Sequence, residues 1–448
     1  MKDELSRALT HRHVQMIAIG GAIGTGLFLG SGSAIQKAGP AIIIAYLIAG
    51  IFCFFMMRAI GELILSDLSK TSFIEFIKRY MGRSWEFIIG WTYWLCWMSL
   101  AMADLTASGI YLKYWFPNLP QWVTALGIIL ILLVFNLLSV GLFGTLESWF
   151  SSIKVAAIIA LIATGVILLF AHANVGGREV TISNLVNHGG ILPKGFNGFF
   201  AAFPMVIFAF TGIEMVGLTS GETANPQKDL PQAINSLPIR IGLFYIGSMF
   251  VLMCIYPWNE IVTSSSPFVQ VFEGIGIKFA AGIINFVVLT AALSACNSAI
   301  FSTSRTTYVL SKGGHANAKL SQTNKRNVPV HSLILSSLVL FIAVILNYAL
   351  PATVFEIISG VATVSFVFVW IALVWCHYKY RQLNPQKNST FKMPLYPFSN
   401  FLTILFFIGV LILLAFSKST LTSLEFSIVW FVGLALIYFV FNKNKSNK

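Results

Sequence analysis

Gly20-Gly21-Ala22-Ile23-Gly24-Thr25-Gly26 lies in the middle of the first long apolar run, between Val14 and Ser33. A run of that length is read as a membrane span, yet glycine is the poorest helix former after proline, and here it clusters at mid-depth. The spacing predicts a broken helix. In a bilayer a break leaves peptide N–H and C=O groups without partners, which is tolerated only where protein or a ligand-holding cavity supplies them. Freed N–H groups around Thr25 and Gly26 suit a carboxylate, and freed carbonyls around Ala22 suit an ammonium. An α-amino acid zwitterion offers both. The same glycines, at GxxxG spacing from Gly20 to Gly24 and Gly26 to Gly30, also read as close packing of two membrane helices.

The composition supports a membrane reading. Of 448 residues, 57% are apolar and 10% charged, far from soluble usage. At roughly 20 apolar residues per span, about twelve spans are expected: near 14–33, 41–65, 86–112, 122–140, 149–171, 197–220, 238–257, 279–309, 331–350, 353–378, 400–416 and 424–441. The net charge of +13 would suggest nucleic acid in a soluble protein. Its placement argues otherwise. With the N-terminus cytoplasmic, only Lys37, Lys113, Arg178, Lys194, Lys278 and Lys418 of the 29 basic residues fall outside, which is the positive-inside pattern with both termini cytoplasmic. All five cysteines, Cys53, Cys96, Cys254, Cys296 and Cys376, fall within spans, so neither an external disulfide framework nor a metal site is expected. No removable signal peptide is read at the N-terminus.

Arg58, Glu62 and Asp67 close the second span and read as interfacial groups. The segment from Ser66 to Ser84 alternates apolar and charged residues at helical spacing, as an amphipathic in-plane helix does. Asp104, in an aromatic-rich third span, and Glu214, in the sixth, are the two acids well inside spans, which makes each a functional candidate; for Asp104 the alternatives are a helix–helix hydrogen bond or a place near the interface. Lys154 stands one to two turns inside the fifth span, either functional or snorkelling to the interface. The eighth span carries a polar stripe, Ser294, Asn297, Ser298, Ser302, Thr303 and Ser304, that either glues helices together or lines an ion or proton site.

A second break is expected at Phe208-Ala209-Phe210-Thr211-Gly212-Ile213-Glu214. Two broken spans about five spans apart form the pattern of transporters built from two five-helix repeats, with substrate between the breaks. The expectation is an all-α, polytopic membrane protein forming one transporter domain over 1–448. It has inverted repeats at 14–171 and 197–378, broken helices 1 and 6 as in the leucine-transporter fold, and two peripheral helices at 400–441.

The stretches RHVQMIAIGGAIGTGLFLGSG, MRAIGELILSDL, ESWFSSIKV, FAFTGIEMVG with GETANPQKDLPQAINSLPIR, and NSAIFSTSR, in that order, resemble the amino acid permeases of the amino acid-polyamine-organocation superfamily. The resemblance runs from about Leu9 to the last span. GWTYWLCW followed by AMAD, INSLPIRI, SPFV, NFVVLTAALSACNSAIFSTSR and FKMPL are similar to the branch that takes D-serine, D-alanine and glycine. Relatives for cationic, aromatic and proline substrates tend to have Glu where this chain has Asp104.

The resemblance implies that the Thr25 and Gly26 N–H groups take the substrate carboxylate, and the Ala22, Phe208 and Thr211 carbonyls its ammonium. Gly24, Asp104 and Glu214 complete the expected substrate site. It also implies that the Lys154 ammonium sits between the first and eighth spans, near Ser298 and Ser302, where sodium-driven cousins hold Na⁺. Proton coupling is therefore expected, with no cofactor beyond the proton gradient. Expected partners are a small amino acid, H⁺ and lipid, with no nucleic acid, in a monomer or weak oligomer in the bacterial cytoplasmic membrane.

Other classes fit less well. A sensor needs an output domain, and the tails outside the spans are short. An intramembrane enzyme needs paired catalytic groups, so no enzyme is expected. An ATP-driven pump needs a GxxxxGK[ST] run, which is missing. Valine at Gly24 or Gly26 is expected to abolish binding while leaving expression largely intact.

Overall fold

The computed structural model describes residues 23–70, 72–138, 141–218, 225–324, 328–386 and 389–446. They form an all-α, multi-span membrane fold. Among the described residues, eight helices are long and apolar enough to cross a bilayer, and three shorter apolar helices, Gln121–Asn136, Gly195–Ala209 and Phe398–Leu414, accompany them. Gly30–Ser66 counts as one of the eight, yet it is interrupted at Gly39, whose φ of +61° is a conformation glycine adopts without steric cost. Pro40 and Ala41 complete one 3-10 turn before helix Ile42–Ser66 begins.

Burial sorts the helices into a centre and a rim. The most apolar window of helix Arg83–Leu112 is 89% buried and that of Val354–Leu383 is 83% buried, against 17% for Thr420–Val440. The last helix is therefore peripheral, as its lack of buried charge suggests. Helices Lys278–Lys312 and Val354–Leu383 both pack on Arg83–Leu112, which stands at the centre of the core. Rim helices turn residues such as Ile131, Phe135, Phe170, Ile345, Leu405 and Val429 outward, an apolar belt suited to lipid.

Ser72 caps helix Phe73–Met81 by accepting the Ile74 N–H at 3.3 Å, satisfying one of the donors that a helix start leaves open. Its apolar face, Phe73, Ile74, Phe76 and Ile77, is buried, as the helical spacing predicts. Two features were not read from the sequence. One is a small hairpin pairing Asn174–Val175 with Arg178–Glu179. The other is a π-helical stretch, Ile241–Gly247, between Leu237–Arg240 and Ser248–Ile255. It sets the Tyr245 hydroxyl 2.8 Å from the Ala209 carbonyl, to which it donates.

Glu62, one turn from the end of helix Ile42–Ser66, is fully buried within the protein. Its Oε2 accepts from His377 Nε2 at 2.9 Å and from the Met393 N–H at 2.7 Å, and its Oε1 accepts from Arg381 Nη1 at 2.9 Å. Asn400 Nδ2 donates to His377 Nδ1 and to the Val374 carbonyl, both at 3.0 Å. That fixes the tautomer in which His377 Nε2 carries the proton toward Glu62. Arg58 stacks 3.7 Å from the Phe391 ring centroid and donates to Asn235 Oδ1 at 2.8 Å and to the Lys392 carbonyl. The second span is thus pinned to the tenth and to the segment leading into the eleventh.

Removing one member of a buried, hydrogen-bonded ionic group strands the others and costs about 3–5 kcal/mol. Glu62→Ala is therefore expected to lower the melting temperature of the detergent-purified protein strongly. Asp67→Ala, which removes a surface pair with Arg79, should change stability by about 1 kcal/mol or less. Equal melting temperatures for the two variants would remove the Glu62 group from the fold's energetics.

Candidate functional site

The sixth-span break lies within the described residues, and the stretch expected to break the first span is described only from Ile23 onward. Gly24 is extended, with φ −135° and ψ −164°, and a new helix opens at Thr25–Phe28. Leu27 and Phe28 donate their N–H groups to the Gly24 carbonyl at 3.1 and 3.2 Å. The N–H groups of Thr25 and Gly26 belong to the first turn, which has no carbonyl one turn back in its own helix. In the sixth span, helix Gly195–Ala209 stops, Gly212 takes φ +94°, and helix Met215–Leu218 follows. Ala22 lies outside the described residues.

The breaks touch. A Cβ built on Gly26 would come within 2.6 Å of Ala209 Cα and 2.9 Å of Ala209 N, so only a glycine lets the first helix lie directly on the backbone of the sixth. For Gly24 the same construction meets no atom within 4 Å. The packing reading therefore holds for Gly26, and Gly24 faces open space.

That space is a cavity of about 30 Å³, measured as the room open to the centre of a water-sized sphere. Gly24, Thr25 and Gly26 line it from the first helix, Trp97, Leu100 and Asp104 from the third, and Lys154 from the fifth. Phe208, Ala209, Thr211, Gly212 and Met215 line it from the sixth, and Ala295 and Ser298 from the eighth. Since about 10–15 Å³ on that measure holds one water, the cavity suits a very small ligand.

Asp104 is fully buried and its Oδ1 accepts from the Thr25 hydroxyl at 2.8 Å. Among the described residues its Oδ2 has no hydrogen-bond partner. Lys154 belongs to helix Gly141–Phe170, about 20 Å from the helix start at 1.5 Å per residue, and is fully buried. A snorkelling lysine would show its ammonium at the protein surface. This one points into the protein interior and lines the same cavity as Asp104.

Other expected site residues lie elsewhere or are already engaged. Glu214 is buried outside the cavity wall, its Oε1 accepting from the Tyr93 hydroxyl at 3.4 Å and its Oε2 from Trp370 Nε1 at 3.3 Å. The Phe208 carbonyl accepts both the Thr211 N–H at 3.1 Å and the Thr211 hydroxyl at 2.7 Å, which uses both of its lone pairs. Ser298 lines the cavity. Ser302, one turn along the eighth helix, is buried but does not. From the stripe, Asn297 instead joins helices, accepting from Asn136 Nδ2 at 2.7 Å.

Sequence reading passed over Trp97, Leu100, Met215 and Ala295 as wall residues. A signal for two of them was available, because Trp97, Leu100 and Asp104 stand at i, i+3 and i+7 on one helical face. Met215 and Ala295 carried none, since nothing local separates them from ordinary core.

These roles split the two glycines experimentally. Gly26→Ala should destabilise the protein by about 1–3 kcal/mol, the range for forcing extra volume into a tight contact. Gly24→Ala should melt like the wild type and weaken ligand binding by filling the cavity. Thermal melting with and without ligand checks both, and a normal melting temperature for Gly26→Ala would contradict the contact with Ala209.

Comparison with known proteins agrees with this architecture. The amino acid permease family model matches residues 13–448. The chain is 53% identical over 439 residues to the amino-acid permease AapA of Bacillus subtilis, covering 98% of this chain and 95% of that protein. It is 43% identical over 450 residues to the D-serine/D-alanine/glycine transporter of Escherichia coli K12, covering 99% and 96%. To the aromatic amino acid transport protein AroP of the same strain it is 40% identical, covering 97% and 95%. Matched along nearly its whole length by the family model and by these relatives, the chain belongs to the amino acid permease family.

Proposed function

We propose that the protein is a proton-coupled symporter importing small neutral amino acids, such as glycine, D-alanine and D-serine, across the bacterial cytoplasmic membrane. The observation that carries this reading is the cavity where the two helix breaks meet, which offers first-turn N–H groups, a buried carboxylate and a buried ammonium within a few dozen Å³. A zwitterion needs partners of both signs, and a cavity of this size favours a substrate with little or no side chain. Relatives named for D-serine, D-alanine and glycine and for aromatic amino acids are nearly equally similar, so the cavity volume is what favours the former.

In this mechanism the Thr25 and Gly26 N–H groups hold the carboxylate, and Trp97, Leu100 and Met215 enclose the side chain without selecting its hand. Lys154 carries the transported proton. Burial disfavours a bare ammonium, so the protonated state needs the first and eighth helices closed around it, and proton loss to the cytoplasm frees them. The two repeats then move against one another to expose the cavity to each side in turn, with both termini cytoplasmic.

Competition in proteoliposomes tests the substrate class. Labelled glycine uptake should be inhibited by alanine and serine of either hand, and little by arginine or tryptophan; the reverse order would defeat the assignment. For coupling, Lys154→Gln should lose accumulation driven by an inside-alkaline gradient while retaining measurable glycine binding. Continued uphill uptake by that variant, with wild-type uptake following Na⁺, would refute proton coupling through Lys154.

A further inference from the structure

A helix that stops inside a bilayer leaves its last carbonyls without a following turn to donate N–H groups to them. Helix Gly195–Ala209 stops in this way, and its end carbonyls have found substitutes. Ile207 takes the Phe210 N–H at 2.9 Å, and Phe208 takes Thr211, both from within the break. The Ala209 carbonyl differs, because its donor comes from another span. That donor is the Tyr245 hydroxyl, at 2.8 Å and 36 positions along the chain.

Tyr245 holds the break by its ring as well. The ring stacks on Phe210, with centroids 4.8 Å apart and planes 14° from parallel, and Tyr46 of the second span lies 5.3 Å from it. All three rings are buried, so the packing that fixes the ring also aims the hydroxyl. The other side of Ala209 meets the first span, where Gly26 lies on its backbone, and Ala209 itself lines the cavity. One peptide is thus gripped between the seventh span behind it and the cavity in front. Among the described residues the cavity wall takes no member from the seventh span, so Tyr245 acts on the site through Ala209.

We propose that Tyr245 is a positioning residue for substrate binding. Its hydroxyl fixes the Ala209 peptide on which Gly26 rests, and thereby sets the Thr25 and Gly26 N–H groups against the cavity. This deepens the transport reading and rests on it. A buried carbonyl left without a donor incurs its full desolvation penalty, so it turns toward any donor it can reach. With the hydroxyl gone, that turn shifts a backbone so close to Gly26 that a Cβ there would stand 2.6 Å from Ala209 Cα. The first-span N–H groups are displaced with it and meet a ligand carboxylate less squarely.

Tyr245→Phe tests the assignment, since it keeps the ring stack and removes the hydroxyl alone. Equilibrium binding of glycine to the purified protein should weaken by about tenfold, as expected when a buried hydrogen bond is lost and its acceptor stranded. In proteoliposomes KM should rise while the rate at saturating glycine changes less, because the variant alters how ligand is held. Thr363→Val is the matched control. The Thr363 hydroxyl also reaches the sixth helix from another span, donating to the Pro204 carbonyl at 3.2 Å, more than one turn before the break. Its loss should lower the melting temperature and leave glycine affinity unchanged. Both affinities are read on folded protein, so a poor yield of either variant does not imitate the effect.

If Tyr245→Phe binds glycine as the wild type does, the hydroxyl serves the fold alone and the assignment falls while the transport reading stands. If Thr363→Val weakens binding equally, the effect belongs to the sixth helix at large and the assignment falls as well. A wild type that binds neither glycine nor alanine overturns the small-substrate reading itself.

Discussion

The contact between Gly26 and the backbone of Ala209 is the constraint on which the rest depends. Two interrupted helices inside a bilayer each expose peptide groups that lipid cannot satisfy. Bringing the interruptions face to face lets each help seal the other, and only a residue without a side chain permits that approach, given the 2.6 Å separation a Cβ would have from Ala209 Cα. The cavity is what remains where the seal is incomplete. Asp104 and Lys154 reach it because helices Arg83–Leu112 and Gly141–Phe170 pass beside the junction.

Much of this was legible in the chain. Glycine beside polar residues in the middle of apolar runs located the sixth-span break and the helix start at Thr25, because helix propensity is a local property and its violation shows in a short window. The rarity of charge inside spans singled out Asp104 and Lys154, and both line the cavity. The same rule also picked out Glu214, which belongs instead to a buried group with Tyr93 and Trp370. A rule about desolvation identifies a group that needs partners; it does not say whether protein or ligand provides them.

What stayed hidden was set by contacts distant in sequence. The partners of Glu62 could not be read from its surroundings in the chain, because His377, Arg381 and Met393 lie more than 300 positions away. Gly24 and Gly26 are indistinguishable by composition, and their roles part only when the sixth helix is laid against one of them. Lys154 read equally as a snorkelling residue until its helix was seen to begin at Gly141 and its side chain to turn inward.

The π-helical stretch Ile241–Gly247 has a consequence for how the seventh span tolerates change. A π turn holds more residues than an α turn, so the helix beyond it is rotated relative to an uninterrupted α-helix by roughly 100° for each extra residue. Tyr245 sits inside that stretch, bridging to the Ala209 carbonyl at the sixth-span break. A single-residue deletion there would leave an unbroken and intrinsically sound α-helix. It would also swing one half of the span against the other and carry the tyrosine hydroxyl off its carbonyl. The seventh span thus behaves as a phase-setting element, in which residue count matters more than residue identity.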